Sequence, residues 1–179
     1  EILEIARLVQ KISKKFGYSS TDSLFLSFAF TFASSFIGVS FWPTGWFFAQ
    51  VVTTFLLLFA IKEFITQKRL WIVGILFGLI LLTRATAFIG IIFIFWQIIF
   101  GKKDSFKEKV KSVLVVGLSV IPFILLLGIY NYLRFGNPFD QGYNLQSIAG
   151  NLSGERSYGL FSLTHLPGNL YYFLMIVVQ

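Results

Sequence analysis

Residues 70–100 read LWIVGILFGLILLTRATAFIGIIFIFWQIIF, thirty-one residues that are apolar almost throughout except for Thr83-Arg84-Ala85-Thr86 near the middle. A charged side chain at the bilayer centre costs about 2.5–3.5 kcal/mol even on insertion scales, so by default it faces a cavity and has a partner. The length of the run is as informative. One continuous helix would reach about 46 Å, against a hydrocarbon core of about 30 Å. Hiding the excess would take a tilt of about 50°, beyond the usual range of about 0–40°. Breaking the run at the arginine leaves two limbs of roughly 14–16 residues, each short of a full crossing. The stretch is therefore expected to form a hairpin with Arg84 at its tip.

The rest of the chain has the same character. Of its 179 residues 56% are hydrophobic and 13% charged, and the mean hydropathy is +0.77. Soluble domains carry about 25% charged residues, so the composition points to an all-α, polytopic transmembrane helical bundle. Cysteine is absent, which excludes a disulfide framework and a thiolate metal site. A net charge of +7 would suggest nucleic acid in a soluble protein. Here the basic residues cluster in short segments between apolar runs, the topology signal of membrane proteins, so the partner expected is the lipid bilayer and not nucleic acid. Twelve of the fifteen Lys and Arg lie in the N-terminal segment, around 62–69, and in 101–111. The positive-inside rule makes all three cytoplasmic. A single crossing at 70–100 would separate the last two, whereas a hairpin keeps them together. Trp42-Pro43, Arg84 and the loop at 134–168 then share the extracytoplasmic side.

The chain reads as one interior piece of a longer multi-pass domain, because it opens Glu1-Ile2-Leu3 and stops inside an apolar run. A basic start followed by an apolar stretch, the mark of a signal peptide, does not occur near residue 1. Segment 1–16 places Ile2, Ile5, Leu8, Val9, Ile12 and Phe16 at helical spacing with charges opposite. It is either an interfacial amphipathic helix or the polar end of a membrane helix. Spans are expected at about 23–41, 46–64, 70–83, 86–100, 112–133 (kinked at Pro122) and 169–179, with an extracytoplasmic loop at 134–168.

Few residues on the outer side could carry chemistry. Arg84, flanked by Thr83 and Thr86, suits an anionic oxygen cluster such as a lipid phosphate, which guanidinium meets bidentately without losing its proton. The plainer reading is that Arg84 caps the break and snorkels to headgroups. Arg134 is either a substrate contact or an interface anchor at a helix end. Asp140 could cap a turn or bind a hydroxyl, and Tyr143 closes the same polar-aromatic stretch. His165 is a lone histidine before Pro167. Asn151-Leu152-Ser153 matches a glycosylation sequon, which matters only in a eukaryotic secretory context. No metal-ligand spacing, Gly-rich phosphate loop or Ser/His/Asp set is legible, and neither metal nor cofactor is expected.

Two ordered stretches carry a family resemblance. Gly74-Ile-Leu-Phe-Gly78-Leu-Ile-Leu-Leu-Thr83-Arg84-Ala-Thr86 resembles the small-residue helix and succeeding Thr-Arg-x-Thr of polytopic C-type glycosyltransferases. Asn131-Tyr-Leu-Arg134-Phe-Gly136-Asn-Pro138-Phe-Asp140-Gln-Gly142-Tyr143 resembles a second stretch of the same prokaryotic proteins, and Gly159-Leu-Phe-Ser162 through Pro167-Gly-Asn169-Leu-Tyr171 fits the next segment of those proteins. The resemblance is to relatives of protein O-mannosyltransferases and aminoarabinose transferases, the family 39 type, over most of residues 20–175. It implies a GT-C-like bundle in the cell membrane, the prokaryotic plasma membrane. It also implies transfer of a sugar from a polyprenyl-phosphate donor to a lipid, glycan or protein acceptor outside the cytoplasm. By position it makes Arg84 a donor-phosphate contact, with Arg134, Asp140 and Tyr143 as wall or acceptor-loop residues. The family's catalytic carboxylate sits in an earlier loop. No adjacent pair of acidic residues occurs here, so that group is expected upstream of Glu1 and this piece alone is expected to be inactive. The alternative is a polytopic transporter or lipid flippase, in which an intramembrane arginine and a broken helix are also at home.

Overall fold

In the computed structural model, residues 2–42, 44–101, 105–140, 142 and 162–175 are described, and among them all regular structure is helical. The chain divides into two units, Glu1–Phe139 and Asp140–Gln179. The first contains α1 (Ile2–Lys15), α2 (Ser20–Phe32), α3 (Ser35–Phe41), α4 (Gly45–Thr66), α5 (Leu70–Thr83), α6 (Ile91–Phe100) and α7 (Phe106–Phe135). The second contains α8 (Leu166–Met175), preceded by a 3-10 turn at Leu163–His165 in which Ser162 Oγ accepts from the Thr164 N–H.

Among the described residues two helices, Gly45–Thr66 and Phe106–Phe135, are long and apolar enough to cross a membrane, and α2 with α3 makes a third if that bent pair is one span. Only 11% of the apolar window of α7 is buried within the chain, and Leu118, Leu125 and Ile129 stand open on its surface. Exposed apolar area on that scale belongs against lipid or another helix and not in water.

The expected single span at 23–41 is instead α2 and α3, bent by 53°. Ser34 explains the break. Its hydroxyl donates to the Phe30 carbonyl and accepts from the Phe36 N–H, so it ends one helix and caps the next. The helix expected at 112–133 starts six residues earlier, because Ser105 and Glu108 form a reciprocal capping box that nucleates it among the lysines. It runs through Pro122 to Phe135, where Gly136 at φ 73° ends it. The first two residues of the expected loop at 134–168 are thus helical, and so is its end from Leu163.

α1 lies antiparallel to α2, with Ser27 Oγ donating to the Ala6 carbonyl, and Ile5 is enclosed by Phe36 and Val51. The main core gathers α4, α5, α6 and α7 around Phe77, Ile80, Ile94 and Val116. α4 and α5 are antiparallel. Thr53 Oγ1 donates to Thr83 Oγ1 at 3.1 Å, and Glu63 meets Arg69 at the other end. α5 and α7 run parallel, since Gly74 abuts Val116 and Ser119 while Gly78 abuts Phe123. For α7 to run parallel to α5, the segment between them must travel back. It does so as a 3-10 turn at Ala85–Gly90 followed by α6, with Gly90 against Phe77 and Leu57. One end of the bundle therefore holds Lys62, Lys68, Arg69 and the start of α7 with Lys107, Lys109 and Lys111. The opposite end holds Arg84, Thr44 at the start of α4 and the C-terminus of α7.

Candidate functional site

The break between α5 and the 3-10 turn is built from threonine and backbone, without proline or glycine. Thr83 Oγ1 is within hydrogen-bond reach of the Leu79 and Ile80 carbonyls, at 3.1 and 3.0 Å, and the Ile80 carbonyl also takes the Arg84 N–H at 2.7 Å. A hydroxyl engaged with helix carbonyls offers the chain an exit from the α conformation. Arg84 takes that exit with φ −150° and ψ 98°, and its own carbonyl accepts from the Ala87 N–H to start the 3-10 turn.

The tip falls beside the first turns of α4, where Thr44 Oγ1 caps the helix. The Arg84 guanidinium lies 4.6 Å from the centre of the Trp46 ring. With the Gln50 amide turned so that its oxygen faces the donors, Gln50 Oε1 accepts from Arg84 Nη1 at 3.0 Å and from Trp46 Nε1 at 3.2 Å. Trp46 and Gln50 are one helical turn apart and so share a face. The arginine is half-buried, stacked on an indole and oriented by one amide. A guanidinium carries five N–H donors in a rigid planar fork, and Gln50 engages only one of its nitrogens, so the group is suited to a further oxyanion.

Of the other sequence-derived candidates in the first unit, Arg134 does not join this cluster. Arg134 is on the last turn of α7, at the same end of the bundle. Among the described residues it is held by its own helix: its Nη1 donates to Tyr130 Oη at 2.6 Å, and its guanidinium lies 5.1 Å from the Phe135 ring. That is the geometry of an anchor. Asp140 belongs to the second unit and accepts the Gly142 N–H at 2.8 Å in an Asx turn, with Gly142 at φ 76°. Tyr143 lies outside the described residues. Asn131 is buried, and its amide donates to the Pro138 carbonyl at 3.2 Å, fastening the chain after α7 back onto that helix. An open groove of about 490 Å³ at this end, lined by Ile2, Val39, Trp42, Phe48 and Val51 among others, faces a different side of α4 from Trp46 and Gln50. Among the described residues no three His, Asp or Glu side chains converge as metal ligands would.

Sequence reasoning passed over Trp46 and Gln50. The available signal was a glutamine inside an apolar run, four residues after a tryptophan. It also passed over Glu63, which is fully buried at the other end of α4 and accepts from Arg69 Nε at 2.6 Å and Lys62 Nζ at 3.5 Å.

Fold and site together define an all-helical, membrane-associated chain with a cation presented at a helix break. Comparison with protein-family models, curated proteins and solved structures finds no match, so a family assignment rests on the sequence resemblance alone.

Proposed function

We propose that this chain forms part of the donor site of a membrane glycosyltransferase that uses a polyprenyl-phosphate sugar. The observation that carries the reading is the placement of Arg84 at the break of an apolar helix pair, stacked on Trp46 and oriented by Gln50. An arginine serving only as a headgroup anchor needs no such pair of partners on a neighbouring helix. In the transfer, an acceptor oxygen attacks the anomeric carbon and the bond from that carbon to the donor phosphate breaks. Negative charge grows on the leaving phosphate, and the guanidinium, fixed beforehand, stabilises it without reorganising. The family resemblance assigns deprotonation of the acceptor to a catalytic carboxylate that is not among the residues proposed here, so the chemistry proposed for these residues stops at the phosphate.

The test is transfer from a radiolabelled polyprenyl-phosphate sugar by the full-length protein. Arg84→Ala is expected to lower turnover by about 10²–10³-fold, the usual loss of a preorganised oxyanion donor. Arg84→Lys, which keeps the charge but loses the planar fork, should recover only part of it. Unchanged transfer in Arg84→Ala would reduce the arginine to an anchor. A variant that blocks solute movement, in a protein that transfers no sugar, would establish the transporter reading instead.

A further inference from the structure

At the lysine-rich end a second groove of about 480 Å³ opens between the last turn of α6 and the first turns of α7, lined by Ile99, Phe106, Lys109, Val110, Val113 and Leu114. Its volume falls within the range of about 300–1,000 Å³ typical of small-molecule sites. Five of the six lining residues are apolar and one is a cation. Phe106 is 84% exposed, so the mouth of the groove is open. Lys109 Nζ donates to the Ile99 carbonyl at 2.9 Å, which holds the ammonium at the lip of the groove while occupying one of its three donors. Among the described residues no carboxylate lies within ion-pair distance of Lys109. Its neighbour Glu108 is committed to the capping box, its Oε2 accepting from the N–H and hydroxyl of Ser105. Lys107 and Lys111 add positive charge on the same turns.

We propose that this groove binds an anionic phospholipid of the adjoining leaflet, one acyl chain lying along Val110, Val113 and Leu114 and the phosphate meeting Lys109. Charge complementarity selects the occupant. An apolar trough ending in an ammonium with no carboxylate partner among the described residues, on the side that the positive-inside rule makes cytoplasmic, matches a chain joined to an anion. The site lies at the opposite end from Arg84 and does not depend on the transferase reading.

Native mass spectrometry of the protein purified in mild detergent tests it, with phosphatidylglycerol and phosphatidylcholine of identical acyl chains as probes. Phosphatidylglycerol should be retained about fivefold better, the effect of one near-surface basic residue. Lys109→Ala should erase that preference, while Lys111→Ala, outside the groove lining, should leave most of it. Val113→Trp, which fills the trough, should lower retention of both lipids. Equal retention by the unsubstituted protein, or a preference that survives Lys109→Ala, would overturn the proposal. Lys109 is half-buried at the edge of the groove and its truncation removes no core side chain, so the outcome does not depend on Val113→Trp folding.

Discussion

Glu63 and Arg84 are both charged groups near the ends of α4, and they answer to opposite constraints. Glu63 is closed off from solvent and has two cationic partners within 3.5 Å, so its role is complete inside the chain. Removing one partner of a buried carboxylate leaves the charge short of compensation, whereas removing the whole pair does not. Arg69→Ala is therefore expected to lower the unfolding midpoint, by less than a fully buried pair would because Arg69 itself is half-exposed. Glu63→Met combined with Arg69→Met should recover most of the loss. Thermal unfolding in detergent checks this, and a double variant less stable than Arg69→Ala would contradict it. Arg84, by contrast, is held by a ring face and one amide and keeps further donors for an outside anion. Its presence at a break was legible from a single charge in a long apolar run. Its partners were not, because Trp46 and Gln50 lie more than thirty residues away and nothing in the local pattern links them to it.

At the scale of elements, the contact between α5 and α7 depends on the absence of two side chains. A Cβ on Gly74 would lie 2.5 Å from the Val116 carbonyl oxygen, which is backbone and cannot turn aside. A Cβ on Gly78 would lie 2.2 Å from the Phe123 ring, which can. Gly74→Ala should thus force the helices apart at a cost of about 1–3 kcal/mol. Gly78→Ala should cost less and be rescued by Phe123→Leu, and no side-chain change on α7 should rescue Gly74→Ala. Unfolding midpoints of the single and double variants decide it; equal rescue of both would show the register to be wrong. The helices themselves were largely legible, since apolar runs and caps are local. The boundaries that shifted, at Ser34 and Ser105, did so through side chain to backbone hydrogen bonds that hydropathy does not register. The glycines were visible as a small-residue helix, but the helix they pack against was not.

For the first unit as a whole, the parallel register of α5 and α7 requires the chain to go out and come back between residues 70 and 100. The lysine clusters at 62–69 and 107–111 then fall at one end. The chain contains no cysteine, so single-cysteine variants probe this cleanly. Lys68→Cys and Lys107→Cys should react with an impermeant thiol reagent from the same side of the membrane, and Thr44→Cys and Asn137→Cys from the other. Labelling of positions 68 and 107 from opposite sides would remove the turn at Arg84 and the donor site with it. The sequence by itself determined the all-helical class, the interruption at Arg84 and the grouping of the basic segments at 62–69 and 107–111, because apolarity and charge act through burial in lipid and are properties of each segment alone. Only the tertiary structure decided which groups hold the arginine, that Glu63 is enclosed, and which helix fills the Gly74 and Gly78 notches. Those depend on the register between helices distant in sequence, which is set by packing and not by any one helix.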